Sequence, residues 1–187
     1  MYRLEVSNLK IVRLAIEGCL LIEFSTHIDA RGVFVKTFNR DLLKGTALQE
    51  FSLEEEFFTK SCKDVIRGLH FQIPPFHHNK VVSCTDGKVT DVLVDLRVRS
   101  CTYGKCCSID LNSEFYQSVY IPVGVAHGFI SRSENSTMCY KVDKKYSAEH
   151  DAGIAWDSFC FDWGCDAPII SDRDRKFPGL AKFKSPF

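Results

Sequence analysis

The chain has 187 residues, enough for one ordinary domain with short appendages. Its 45% hydrophobic content and 15 Phe can fill a sizeable core. Lys+Arg and Asp+Glu balance at 24 each, which argues against nucleic acid or an anionic membrane as the main partner but permits a small anion held by a few arginines.

The opening MYRLEVSNLKIVRLAIEG carries charge throughout and shows no small-residue cleavage site, so no signal peptide is expected. Nowhere do 18 apolar residues run together, which points away from a membrane span and toward the cytoplasm. The apolar run LAIEGCLLIEF (14–24) suits sheet pairing. After ARGVFVKTFN (30–39), a short helix is expected around Arg40–Lys44, closed by Gly45. EEEFFTKS (54–61) then leads into RGLHFQIPPFHHNK (67–80), where His77 and His78 flank a Pro-Pro turn as expected exposed loop residues. VTDVLVDLRV (89–98) alternates, with Val92, Val94 and Leu96 on one face and Asp91, Leu93 and Asp95 on the other. SVYIPVGVAHGFIS and STMCYKVDKKY are further strand-length runs, rich in β-branched and aromatic residues. Asp86-Gly87, Tyr103-Gly104, Asn112-Ser113 and Glu134-Asn135 punctuate them as turns, and a last helical turn is expected near Ser171–Lys176. Seven or more short strands at such spacing predict an all-β antiparallel sandwich or barrel, the class of cupins and jelly rolls, with the whole chain 1–187 as one domain. The nine cysteines are scattered without a CxxC pair, which fits buried or half-buried thiols in a reducing compartment.

Two kinds of chemistry compete for RGLHFQIPPFHHNK. A cupin-type metal site needs two histidines at i and i+2, but position i+2 from His70 is Gln72, and PVGVAHGF (122–129) adds only His127. No metal is expected. A general base needs a histidine in a pocket, a carboxylate to orient it and an acid on the opposite side. Strict alternation sets Arg67 and His70 on opposite faces of the strand, so one pocket holds both only if the strand is bulged, which Gly68 permits. On these residues alone, a satisfied strand histidine accounts for His70 as well as a catalytic one does.

RGLHFQ, Lys80 ten residues after His70, GKVTDVLVDLRVRSCTYGK, IPVGVAHGF, CYKVDKKY and ISDRD, in that order, resemble the dTDP-4-dehydrorhamnose 3,5-epimerase family. The similarity runs from ARGVFVKTFN to about Phe177. It implies a cupin-fold, metal-free and cofactor-independent isomerase of polysaccharide biosynthesis. The substrate is then a nucleoside-diphospho-4-keto-6-deoxy sugar, whose ketone acidifies the hydrogens on C3 and C5. By this resemblance His70 is the base, and Asp174 orients its ring, with Asp172 two residues away as the alternative. Tyr140 is the acid on the opposite face and Lys80 holds the C4 oxyanion. His127, Gln72 and Arg173 belong to the substrate pocket, and Arg31 and Arg67 pair with the diphosphate.

The chain departs from the family pattern at Lys36, where a glutamate is common, and at EEEFFTKS, where a Gln-x-Asn segment is usual. His78-Asn79 stands where Gln-Gly is typical. The proton-transfer set is therefore kept while the recognition set has changed. A sugar-nucleotide 3,4-ketoisomerase and a non-catalytic cupin binding module are the alternatives. The resemblance also implies a homodimer that exchanges N-terminal strands, with Arg31 reaching the partner's pocket.

Overall fold

In the computed structural model of the chain, residues 10–38 and 48–187 are described. The helix expected over Arg40–Lys44 lies outside them. The described residues are almost entirely β, in two facing sheets. One has six strands in the order β1 (Lys10–Arg13), β2 (Leu20–Glu23), β10 (Gln117–Ile121), β7 (Lys80–Asp86), β12 (Asn135–Val142) and β5 (Glu55–Cys62). The other has five, ordered β13 (Asp151–Gly153), β6 (Ile66–Gln72), β11 (Val125–Ser131), β8 (Lys88–Asp95) and β9 (Cys106–Asn112). All these pairings are antiparallel, and from β5 to β8 and again from β9 to β13 successive strands alternate between the sheets, as in a jelly roll of the cupin type.

The turn chemistry follows the sequence. Asp86-Gly87 joins β7 to β8, Tyr103-Gly104 lies between β8 and β9, Asn112-Ser113 closes β9, and Glu134-Asn135 opens β12. SVYIPVGVAHGFIS is broken into β10 and β11 by the Pro122–Gly124 turn, where Gly124 has φ +82°. Near the C-terminus, Asp174–Lys176 forms a 3₁₀ turn, and the Ser171 hydroxyl accepts the Asp174 N–H at 3.1 Å.

Three apolar clusters hold the layers. The space between the sheets is filled by Val82, Leu93, Val119, Ile121, Phe129 and Met138. The outer face of the five-stranded sheet, with Leu69, Val92, Val94 and Ile130, is covered by the C-terminal segment through Ile154, Trp163 and Ile170. Leu48 and Phe51 cover the outer face of the six-stranded sheet, over Ile22, Val81 and Tyr120. Both faces of the central strands are therefore dry, which explains why β8 and β11 are buried nearly end to end. The alternation in VTDVLVDLRV is real, but it sorts residues between two cores, Leu93 to one and Val92 and Val94 to the other.

The N-terminal region divides in two. The LAIEGCLLIEF run places β2 against β1 and β10 of the same chain, with Ile16, Cys19 and Ile22 buried beneath it. Strands β3 (Thr26–Asp29) and β4 (Gly32–Val35) form a separate hairpin belonging to neither sheet. It leaves Ile28 78% and Phe34 55% exposed. No helix among the described residues is long and apolar enough to cross a membrane.

Candidate active site

Between the sheets, toward one end of the sandwich, lies a cavity of about 290 Å³. His70, Lys80, His127, Tyr140, Arg67, Gln72 and Arg173 all line it. Residues spread over more than 100 positions of sequence thus share one chamber, because β6 and β11 supply one wall and β7 and β12 the other.

The β6–β11 pairing sets the floor. His70 lies directly across from His127, but the register shifts before Arg67 pairs with Phe129. This is the bulge that brings Arg67 and His70 to the same cavity. Gly68 sits at it with φ +121°, and a Cβ there would meet Gly128 Cα at 2.6 Å and His127 O at 2.7 Å. No side chain fits. The bulge also frees the Gly68 N–H, which donates to Asp174 Oδ2 at 3.0 Å, while His70 Nε2 meets Asp174 Oδ1 at 2.8 Å. Asp174 therefore takes the carboxylate position beside His70, and Asp172 is exposed in the same turn.

The electrostatics follow from burial and these bonds. Burial, the largest influence, pushes the His70 pKa below the usual imidazole value, and Asp174 pulls it partly back. The His70 ring is therefore uncharged near neutral pH. For Asp174, burial favours the neutral acid, yet the bonds from His70 and the Gly68 N–H overcome it and leave the pKa below the ordinary carboxylate value. Lys80 is buried and its ammonium donates to the His70 carbonyl at 3.0 Å. Burial lowers its pKa to about 8, with the carboxylates of Asp151 and Asp91 holding it up. Tyr140, on the facing sheet, is pushed well above the phenol range by burial. Its ring stacks on Phe57 at 4.8 Å and meets His127 edge-on at 5.9 Å.

Other members of the expected set are placed differently. Arg67 lines the cavity with its Nε donating to Ser61 Oγ at 2.9 Å. Arg173 pairs with Asp151 at 2.8 Å and lies over the Phe177 ring. Gln72 also lines the cavity, but its amide is committed to the protein: Oε1 accepts from the Ser147 N–H, and Nε2 faces the Phe76 and Lys145 carbonyls and His78. Arg31 stands on the β3–β4 hairpin, 90% exposed and paired with Asp29, away from the cavity of its own chain.

Two features were not read from the sequence. Asp91 binds His127 Nε2 at 2.6 Å, making a second His–Asp pair in which both residues are buried. Asp91, set among Val89, Val92 and Leu93 in the middle of the strand, was the available signal. His77 and His78 are half-buried rather than exposed, because the Pro-Pro turn folds back, and His78 lines the cavity. Glu55, Phe57 and Thr59 of the divergent EEEFFTKS segment line it too, since alternation on β5 turns all three inward.

A family model described as dTDP-4-dehydrorhamnose 3,5-epimerase matches residues 13–182. The curated dTDP-4-dehydrorhamnose 3,5-epimerase of Shigella flexneri is 33% identical over 168 residues, covering 89% of this chain and 93% of its own. A crystal structure of dTDP-4-dehydrorhamnose 3,5-epimerase from Bacillus anthracis, with TDP and PPi bound, superposes with a TM-score of 0.88 at 32% identity, covering 92% of this chain and 100% of that one. The 3,5-epimerase of Legionella pneumophila, solved with dTDP-4-keto-L-rhamnose, gives 0.90 at 28% identity over 95% of both chains.

Proposed function

The chain belongs to the dTDP-4-dehydrorhamnose 3,5-epimerase family and is a sugar-nucleotide epimerase, and from that premise we propose how its cavity works. The substrate is a nucleoside-diphospho-4-keto-6-deoxy sugar, inverted at C3, or at C3 and C5, without metal or cofactor. His70 removes the proton next to the ketone. Asp174, held by the Gly68 N–H, stabilises the imidazolium that results. The Lys80 ammonium, with its pKa near 8, remains charged at neutral pH and neutralises the enolate oxygen on C4. Tyr140 keeps its phenolic proton and returns it from the other side.

The observation that carries this reading is the placement of the two proton carriers. His70 is on β6 and Tyr140 on β12, in facing sheets with the cavity between them. Inversion needs a base and an acid on opposite faces of one carbon, and a two-sheet chamber supplies them. Arg67, Arg173 and Lys144 put positive charge on the cavity wall for the diphosphate.

Solvent-deuterium exchange tests the reaction class. NMR of dTDP-, GDP- and CDP-4-keto sugars in deuterium oxide should show label entering C3, or C3 and C5, with inversion. Carbonyl migration would instead indicate a ketoisomerase, and an unlabelled sugar a binding module. Full activity after EDTA treatment is expected, and stoichiometric metal whose removal abolishes turnover would sink the metal-free mechanism.

The protein acts as a cytoplasmic homodimer in this reading. The β3–β4 hairpin, with its exposed Ile28 and Phe34, carries Arg31 to the partner's cavity. Mixed dimers of Arg31→Ala and His70→Ala chains should then recover activity through one intact composite site. Absence of recovery in the heterodimer would show that each cavity is built from one chain.

A further inference from the structure

We propose that the Thr59 hydroxyl is the donor that stabilises Tyr140 as its phenol gives up a proton, so that Thr59 acts through the acid rather than on the sugar. The inference rests on the epimerase reading above and extends it to a residue that reading leaves without a role.

The β5–β12 register sets the contact. Phe57 lies directly across from Tyr140 and Thr59 across from Met138, so Thr59 is the diagonal neighbour of Tyr140. Both Phe57 and Thr59 turn toward the cavity that Tyr140 lines. Phe57 covers one face of the phenol ring, stacked at 4.8 Å with 11° between the planes, and the His127 ring meets it edge-on at 5.9 Å. These two ring contacts hold the phenol in place beside Thr59.

Thr59 brings an uncommitted hydroxyl to that position. Its Oγ1 is closed off from solvent and has no hydrogen-bond partner among the described residues. The phenol is the group it acts on. Burial raises the Tyr140 pKa most, and the Thr59 hydroxyl is the foremost influence that draws it back down. The charge of Arg67 helps, against Asp91 and Cys139. Arg67 is itself bound to β5, through Ser61 Oγ at 2.9 Å and the Lys60 carbonyl at 3.1 Å. One strand therefore carries both influences that favour ionisation of the acid.

The path of the protons gives this hydroxyl its use. His70 takes the hydrogen from carbon, and the C–H electron pair passes into the enolate. The enolate carbon then takes the Tyr140 proton from the other side, leaving the O–H pair on oxygen as a phenolate. That anion forms in a buried place, where an unpaired charge is costly. A Thr59 O–H that no other acceptor holds can turn to it, and such a bond tightens as the charge appears. Thr59 keeps its own proton, and water resets the imidazolium and the phenolate after product leaves.

Thr59→Val keeps the β-branched shape and deletes the hydroxyl, whereas Thr59→Ser keeps the hydroxyl. With a dTDP-4-keto-6-deoxy sugar at saturation in deuterium oxide, Thr59→Val should invert about 10–10²-fold more slowly with KM changed far less. Exchange on the His70 face should persist, and Thr59→Ser should recover most of the lost inversion. In a Tyr140→Phe background no phenolate forms, so Thr59→Val should leave the residual inversion unchanged. Wild-type inversion in folded Thr59→Val, a loss confined to KM, or a full additional loss in the Tyr140→Phe background overturns the proposal. Tyr140→Phe alone separates the two readings: inversion at the wild-type rate there sinks the acid assignment, whereas inversion lost there and kept in Thr59→Val sinks only this inference.

Discussion

Among the described residues two histidine–aspartate pairs lie side by side, and they differ in what surrounds them. His70 and His127 face each other across the β6–β11 ladder, and each turns Nε2 to a carboxylate at 2.8 and 2.6 Å. The His70 side chain is 30% exposed, whereas that of His127 is 3% exposed and its Asp91 is fully buried. Asp174 has both oxygens bound, one by His70 and one by the Gly68 N–H, while Asp91 Oδ2 has no hydrogen-bond partner among the described residues. A base must reach its substrate and must be able to take up a proton beside a carboxylate already stabilised as an anion. Only the His70 pair meets both conditions. In the proposed mechanism the same two residue types therefore serve proton transfer in one place and wall construction in the other.

Substituting the bases separates them most strongly. His70→Asn should lose inversion and deuterium exchange together, by about 10²–10⁴ in rate. His127→Asn should keep exchange well above that level, and comparable losses in the two variants would erase the distinction. Tyr140→Phe should come next. It removes only the hydroxyl and leaves the stack on Phe57, so exchange at a carbon that His70 deprotonates and reprotonates from one face should survive while net inversion falls. Inversion at the wild-type rate would make Tyr140 part of the wall.

Stability should rank the pairs in the opposite order. His127→Leu leaves Asp91 buried without its partner, a loss worth about 3–5 kcal/mol in urea unfolding. His70→Leu should cost less, because the cavity gives access to water and Asp174 keeps the Gly68 N–H. Equal midpoints would show that burial does not distinguish them.

The pH dependence is the finest probe. In the proposed mechanism exchange requires neutral His70 and charged Lys80. Its rate should fall on acidification through the His70 pKa, which lies below the usual imidazole value, and on alkalinisation near pH 8 as Lys80 loses its proton. Asp174 raises the His70 pKa, so Asp174→Asn should move the acid limb lower still. Lys80 depresses it, so Lys80→Met should move that limb up and remove the alkaline one. An acid limb unmoved in both variants would detach it from His70.

The amino-acid sequence by itself determined the strand runs, the glycine-marked turns and the motif order that singled out His70, Lys80, Tyr140 and Asp174, because each depends on local alternation, turn chemistry or a short pattern. It also pointed to the Gly68 bulge, since only glycine allows strands so close. Asp91, His78 and Gln72 were decided by tertiary structure. Asp91 looked like one face of an alternating strand, but in a sandwich whose sheets are buried on both sides alternation does not say which face looks into the cavity. His78 looked like loop beside a Pro-Pro turn, and Gln72 looked like a substrate contact. The Ser147 backbone, 75 positions away, binds the Gln72 amide oxygen and turns the other end of the amide toward the Phe76 and Lys145 carbonyls. Hydrogen bonds across such separations depend on which strands pair and in what register, and that is set by the packing of the whole sandwich.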